Sequence, residues 1–98
     1  MYHVEIHPEV YKEIDASKQW YDEQSMGLGG RFLDEVDRAM EAISMSPEIW
    51  PPYVSGTRRF LLHRFPFAIV YFYTESKVKV IALMHFRRKP GYWGKRVL

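Results

Sequence analysis

The segment from His85 to Leu98 holds the densest set of chemically capable side chains in the sequence: His85, Arg87, Arg88, Lys89, Tyr92, Trp93 and Arg96. Cutting an RNA backbone without a metal requires three things. A group must activate the ribose 2′-hydroxyl, cations must offset charge on the phosphorane-like transition state, and an acid must protonate the leaving oxygen. Histidine titrates near neutrality and can serve as base or acid, which nominates His85. Arg87 and Arg88 can stabilise a phosphate, and Tyr92 can assist or stack on an unpaired base. In a nuclease the catalytic set is therefore His85, Arg87, Arg88 and Tyr92. Arg58, Arg59, Arg64, Lys89, Trp93 and Arg96 are candidates for contact with a partner or a nucleic acid.

Each of these residues also has a plainer reading. His85 can be a hydrogen-bonded strand end, Arg58 and Arg59 can pair with helix acids, and Tyr92 and Trp93 can cap the core. His63 is expected on the sheet beside Leu61, facing solvent or the helices. His3 and His7 are spaced i, i+4 but flank Pro8 at a strand-to-helix transition, so helical metal-ligand spacing does not apply. Gly27, Gly29 and Gly30 follow a helix, not a strand, and lack phosphate-loop spacing. The sequence has no cysteine, which excludes a disulfide scaffold, a cysteine-based zinc site and a thiol nucleophile. The acids fall mostly on polar helix faces, so paired-carboxylate chemistry is not expected. No cofactor and no metal are implied.

Charge is divided unevenly. Residues 1–50 carry 11 acidic and 4 basic side chains, a net −7, whereas residues 51–98 carry 10 basic and 1 acidic, a net +9, together the +2 of the whole chain. Such asymmetry suggests a polyanionic or acidic partner for the basic half, or pairing of acidic helices with basic strands inside one domain. With 98 residues neither half is comfortable alone, so 1–98 reads as a single domain. No apolar run reaches the ~18–20 residues of a membrane span, and the polar start is unlike a signal peptide. The expectation is a soluble, cytoplasmic protein with no membrane partner.

The elements that must position these groups can be read from periodicity. Tyr2 to Ile6 alternates in polarity and reads as a short strand. Pro8 suits the first position of a helix, whose stripe is Val10, Ile14, Ser17 and Tyr21 and which fades near Ser25. Gly27 to Gly30 forms a tight turn. A second helix runs from Gly30 to Ser44 with Phe32, Val36, Met40 and Ile43 inward. Pro47 and Trp50-Pro51-Pro52 close the helical part. Strands follow at Arg59–Phe65, Phe67–Tyr73 and Val78–Met84, read as an antiparallel meander. The order β-α-α-β-β-β implies an α+β fold, an antiparallel-rich sheet with a helical hairpin packed on one face.

Taken in order, several segments carry a resemblance. They are Trp20-Tyr21-Asp22-Glu23-Gln24, Gly27-Leu28-Gly29-Gly30-Arg31-Phe32-Leu33, Pro47, Gly56-Thr57-Arg58-Arg59-Phe60, Arg64-Phe65-Pro66-Phe67-Ala68-Ile69-Val70-Tyr71, and His85-Phe86-Arg87-Arg88-Lys89-Pro90-Gly91-Tyr92-Trp93 followed by Arg96. Together they resemble the RelE/ParE superfamily of toxins from type II toxin–antitoxin systems, over nearly the whole chain. The resemblance implies a cognate antitoxin protein as partner, one that wraps an extended or helical segment around the toxin. It implies growth arrest by one of two routes. ParE-like members inhibit DNA gyrase, and the Arg64-Phe65-Pro66 block is closer to that side. RelE-like members cut mRNA on the ribosome, with catalytic groups at the end of the last strand and in the tail, where His85, Arg87 and Arg88 lie. The lysines such nucleases carry have no counterpart near Pro51 to Thr57. A third alternative is a non-toxic module that only binds antitoxin.

Overall fold

The computed structural model describes residues 1–97. Strand β1 (His3–Ile6) leads into helix α1 (Pro8–Gln24), then α2 (Leu28–Met45), and after a loop come β2 (Arg58–Leu61), β3 (Phe67–Tyr73) and β4 (Lys77–His85). The sheet order is β1-β4-β3-β2. The last three strands form the expected antiparallel meander, while β1 joins β4 in parallel, with Val4 opposite Val78 and Ile6 opposite Val80. The α+β order read from the sequence is the order observed.

Local chemistry sets the helix ends. His7 caps α1, its Nδ1 accepting from the Glu9 N–H at 3.1 Å, and Pro8 takes the first turn where a missing N–H is harmless. Gly27, at φ 81°, makes the left-handed turn between the helices. Helix α2 then begins at Leu28, two residues earlier than the glycines suggested. Gly29 enters the helix because its N–H donates to the Asp22 carboxylate at 2.9 Å, and Asp22 sits where a Cβ would otherwise be.

Two apolar layers enclose the sheet. On the helical side Val10, Phe32, Val36 and Ile43 pack against Phe67, Ile69, Tyr71, Val78, Val80 and Leu83. On the other side Ala68, Val70, Ile81, Ala82 and Met84 are covered by Trp93, with Tyr53 and Tyr92 packed alongside. Trp93, expected among the partner contacts, is therefore a core residue at 1% exposure. Folding the tail back hides the second sheet face of this short chain.

Strand β2 is shorter than the Arg59–Phe65 expected. The chain leaves the ladder after Leu61, because Pro66 has no N–H to offer, and residues 62–66 turn so that the Leu62 N–H reaches the Phe67 carbonyl at 2.9 Å. His63 lies exposed in that turn rather than on the sheet. In β4 a bulge interrupts the pairing: Val70 faces Ala82 and Tyr71 faces Val80, leaving Ile81 as the extra residue. The bulge inverts the alternation beyond it. Val78 and Val80 face the helices, and so do Leu83 and His85.

Candidate functional site

The bulge has a functional consequence. Strict alternation from Val78 would send His85 to the tail-covered face. The extra residue turns it to the helical side, opposite Phe67, with the two rings edge to face at 5.0 Å. There it lines a groove of about 820 Å³ between α1 and the end of β4. The floor is apolar, with Trp20, Tyr21, Pro66, Phe67 and Leu83. Arg87, Arg88, Tyr92 and Arg96 complete the side opposite α1. Five of the residues singled out in the sequence thus meet in one place.

Their internal bonds decide what they can do. The hub is Glu13, on α1. Its Oε1 accepts from the Leu83 N–H at 3.0 Å and from Arg96 Nη1 at 3.0 Å, and its Oε2 accepts from the Tyr92 hydroxyl at 2.8 Å. The same Arg96 nitrogen donates to the Ile81 carbonyl at 3.0 Å. Strand β1 ends at Ile6, opposite Val80, so β4 has no strand neighbour on that edge beyond this point. Glu13 and Arg96 supply the partners a neighbouring strand would have supplied.

Burial, reinforced by the Glu13 hydrogen bond, pushes the Tyr92 phenol well above its ordinary range. Tyr92 is a neutral donor at physiological pH, with its proton directed at Glu13, and it is not a base. Arg88 stacks its guanidinium over the Tyr92 ring at 3.9 Å, and Arg96 approaches the same ring at 5.2 Å. His85 Nδ1 accepts from the Arg87 N–H at 3.0 Å. That bond places the neutral imidazole's proton on Nε2, making the free nitrogen a donor.

The remaining candidates lie elsewhere. Arg58 Nη1 donates to the Trp50 carbonyl at 2.6 Å, and its guanidinium lies 5.7 Å from the Tyr73 ring. Arg59 covers Tyr53 at 4.4 Å on the tail side of the sheet, where Tyr53 stacks on Trp93. Arg64 lines a second groove, about 980 Å³, between α2 and the β2 end. Lys89 is exposed beside Arg88. Sequence reasoning missed Glu13, Trp20 and the apolar floor. Glu13 was grouped with the solvated acids, although its place three residues after Val10 and one before Ile14 puts it on the shoulder of the buried stripe. Among the described residues no group of three or more His, Asp or Glu side chains could hold a metal, and no helix is long and apolar enough to cross a membrane.

No protein-family model matches the sequence, and no curated protein matches it. Solved structures do match, eight chains in all. One belongs to a structure described as the chromosomal ParDE TA system from P. aeruginosa. It superposes with a TM-score of 0.74, covering 87% of this chain and 96% of that one, at 14% sequence identity. The chain has a ParE-like fold, the architecture that the resemblance in the sequence implied.

Proposed function

We propose that this chain is the toxin of a toxin–antitoxin pair, that it arrests growth by binding DNA gyrase rather than by cutting RNA, and that an antitoxin protein restrains it. The likeness to the ParDE structure supports a toxin–antitoxin role. The observation that favours binding over cleavage is the Glu13 hub. The tyrosine a nuclease would use is held as a neutral donor to Glu13, and Arg96 is bonded to the same carboxylate. His85 offers a donor nitrogen where a 2′-hydroxyl would need a base. What remains is a surface fitted for contact.

The test is brief induction in bacteria without antitoxin, with the 5′ ends of cellular transcripts mapped. Growth arrest with intact transcripts, accumulated gyrase–DNA complexes and relief in a host with resistant gyrase is the expected result. A second reading, a metal-independent ribosome-dependent mRNA endonuclease, draws support from the meeting of His85, Arg87, Arg88 and Tyr92 in one groove. It requires transcript cuts at a fixed codon phase, lost in His85→Ala and Arg88→Ala. No growth effect at all would leave only the antitoxin-binding module.

A further inference from the structure

We infer that the groove between α1 and the end of β4 is a binding site for a small molecule: a flat aromatic acid about two fused rings in size, whose ring covers Trp20 and whose carboxylate meets Arg87 and Arg88. Such a site stands on the groove's own chemistry, whatever macromolecule the chain contacts.

The ring is specified by the floor. Trp20, Tyr21, Phe67 and His85 form a continuous aromatic run from α1 to β4. Trp20 meets Tyr21 at 5.1 Å, Tyr21 meets Phe67 at 6.3 Å and Phe67 meets His85 at 5.0 Å, each pair edge to face. Pro66 and Leu83 fill the rest of the floor. The run ends on Trp20, which is 56% exposed. A herringbone of rings that stops at a half-wet indole leaves the place of one more ring to a ligand.

The anionic head is specified by the opposite wall. Arg87 and Arg88 are exposed there, and no carboxylate among the described residues lies within 4.0 Å of them. Arg88 is held in place. Its guanidinium lies 3.9 Å from the Tyr92 ring, whose hydroxyl is bonded to Glu13, and its backbone N–H donates to the His85 carbonyl at 2.9 Å. A guanidinium already positioned loses little freedom on gripping a carboxylate, and its planar fork matches both oxygens. On α1 the charges are matched: Lys12 pairs with Glu9 at 3.0 Å, and Glu13 pairs with Arg96 at 3.0 Å. The head therefore turns to the tail side.

The size follows from the spacing. Glu13, which ties down Tyr92 and with it Arg88, lies seven residues before Trp20 on α1, about 10 Å at ~1.5 Å per residue. Two fused rings with a carboxylate span about that length, and a groove of about 820 Å³ admits them. A nucleotide fits less well. Its sugar hydroxyls would lie on the side chains of Pro66, Phe67 and Leu83, which offer them no hydrogen bond.

The experiment titrates the isotope-labelled full chain with naphthalene-2-carboxylate by NMR. The ligand's own proton signals give the affinity, and the three tryptophan indole N–H signals locate the site. The Trp20 signal, assigned by its loss in Trp20→Leu, should move with a Kd of about 1 mM or tighter. The signal of Trp93, buried on the other sheet face, should stay in place. The acid should bind at least about fivefold tighter than naphthalen-2-ylmethylammonium, an advantage that shrinks with salt, and about threefold tighter than cyclohexanecarboxylate, which has the head without the flat ring. Arg88→Gln should weaken binding about fivefold and Trp20→Leu about threefold. Arg38→Gln, in the other groove, should change nothing. Circular dichroism checks that each variant is folded. No binding at about 5 mM ligand, an unmoved Trp20 signal, equal affinity for the acid and the ammonium, indifference to Arg88→Gln, or tighter binding of adenosine monophosphate would each overturn the inference. None of these outcomes depends on whether the chain arrests growth.

Discussion

The two grooves beside the helical hairpin are similar in size and opposite in construction. The α2–β2 groove is walled by helix residues of both signs, Arg31, Asp34, Glu35 and Arg38, facing a turn. Among the described residues its anchoring side-chain bond from helix to turn is the Arg64 N–H to Glu35 Oε1, at 2.7 Å and exposed to solvent. The α1–β4 groove has an aromatic floor, and one partly buried carboxylate ties α1 to β4 and to the tail. Water competes for the first arrangement and is largely kept from the second. The difference teaches where geometry is held firmly enough to present a fixed surface. Among the described residues, only in the α1–β4 groove does a partly buried carboxylate lock the walls to one another.

The largest expected effect follows from the tail that builds one of those walls. Trp93→Ala removes a buried indole and should destabilise the fold by about 3–5 kcal/mol. For a domain of this size each kcal/mol is worth roughly 4–8 °C in Tm. Urea unfolding measures it, and a loss below about 1 kcal/mol would mean that the tail does not anchor the groove. Next comes Glu13→Ala. It strands the Leu83 N–H and removes the partner of Tyr92 and Arg96, so a loss of about 2–3 kcal/mol is expected. Equal effects of Glu13→Ala and Glu35→Ala would erase the contrast between the grooves.

Alkaline pH sharpens the comparison further. Burial raises Tyr71 to about 12 and raises Tyr92 as well. Both phenols stay protonated in the folded chain while the unfolded chain ionises them near 10. The unfolded state then binds fewer protons, so stability is intact below pH 10 and falls as pH rises from 10 toward 12, by about 1.4 kcal/mol per unit for each tyrosine. Tyr92→Phe should remove one tyrosine's share of that slope and cost about 1 kcal/mol at pH 7. A slope unchanged by the substitution would show that the Tyr92 phenol is not held protonated in the folded chain by burial and its bond to Glu13.

The fold was legible because its signals are local. Pro8, the helical stripe at Phe32, Val36 and Ile43, and the apolar run Phe67–Tyr73 each carry their own period. The site was legible only as a list of residue types. His85 reaches the groove through a bulge at Ile81, and nothing in a β-branched run such as Val78-Lys79-Val80-Ile81 marks which residue will be extra. Trp93 could be read either as a partner contact or as a cap on the core, because no local pattern shows that the tail folds back onto the second sheet face. Glu13 was hidden for a related reason: its three partners lie about 70 to 83 residues away in sequence, a range that no local pattern encodes.

The smallest effect is the most discriminating. Glu35 makes a charge-assisted bond of only 2.7 Å to the Arg64 N–H, shorter than any of the bonds to Glu13. Judged by distance alone it would be the stronger contact. Its donor is exposed, however, so in Glu35→Ala water replaces the carboxylate and no buried group is left unpaired. The expected loss is about 0.5 kcal/mol or less, read as a shift in the urea midpoint at unchanged slope. Stability should therefore follow what is stranded when a partner is removed, not how short the bond was. A loss near that of Glu13→Ala would reverse this and make the α2–β2 turn as firmly held as the tail.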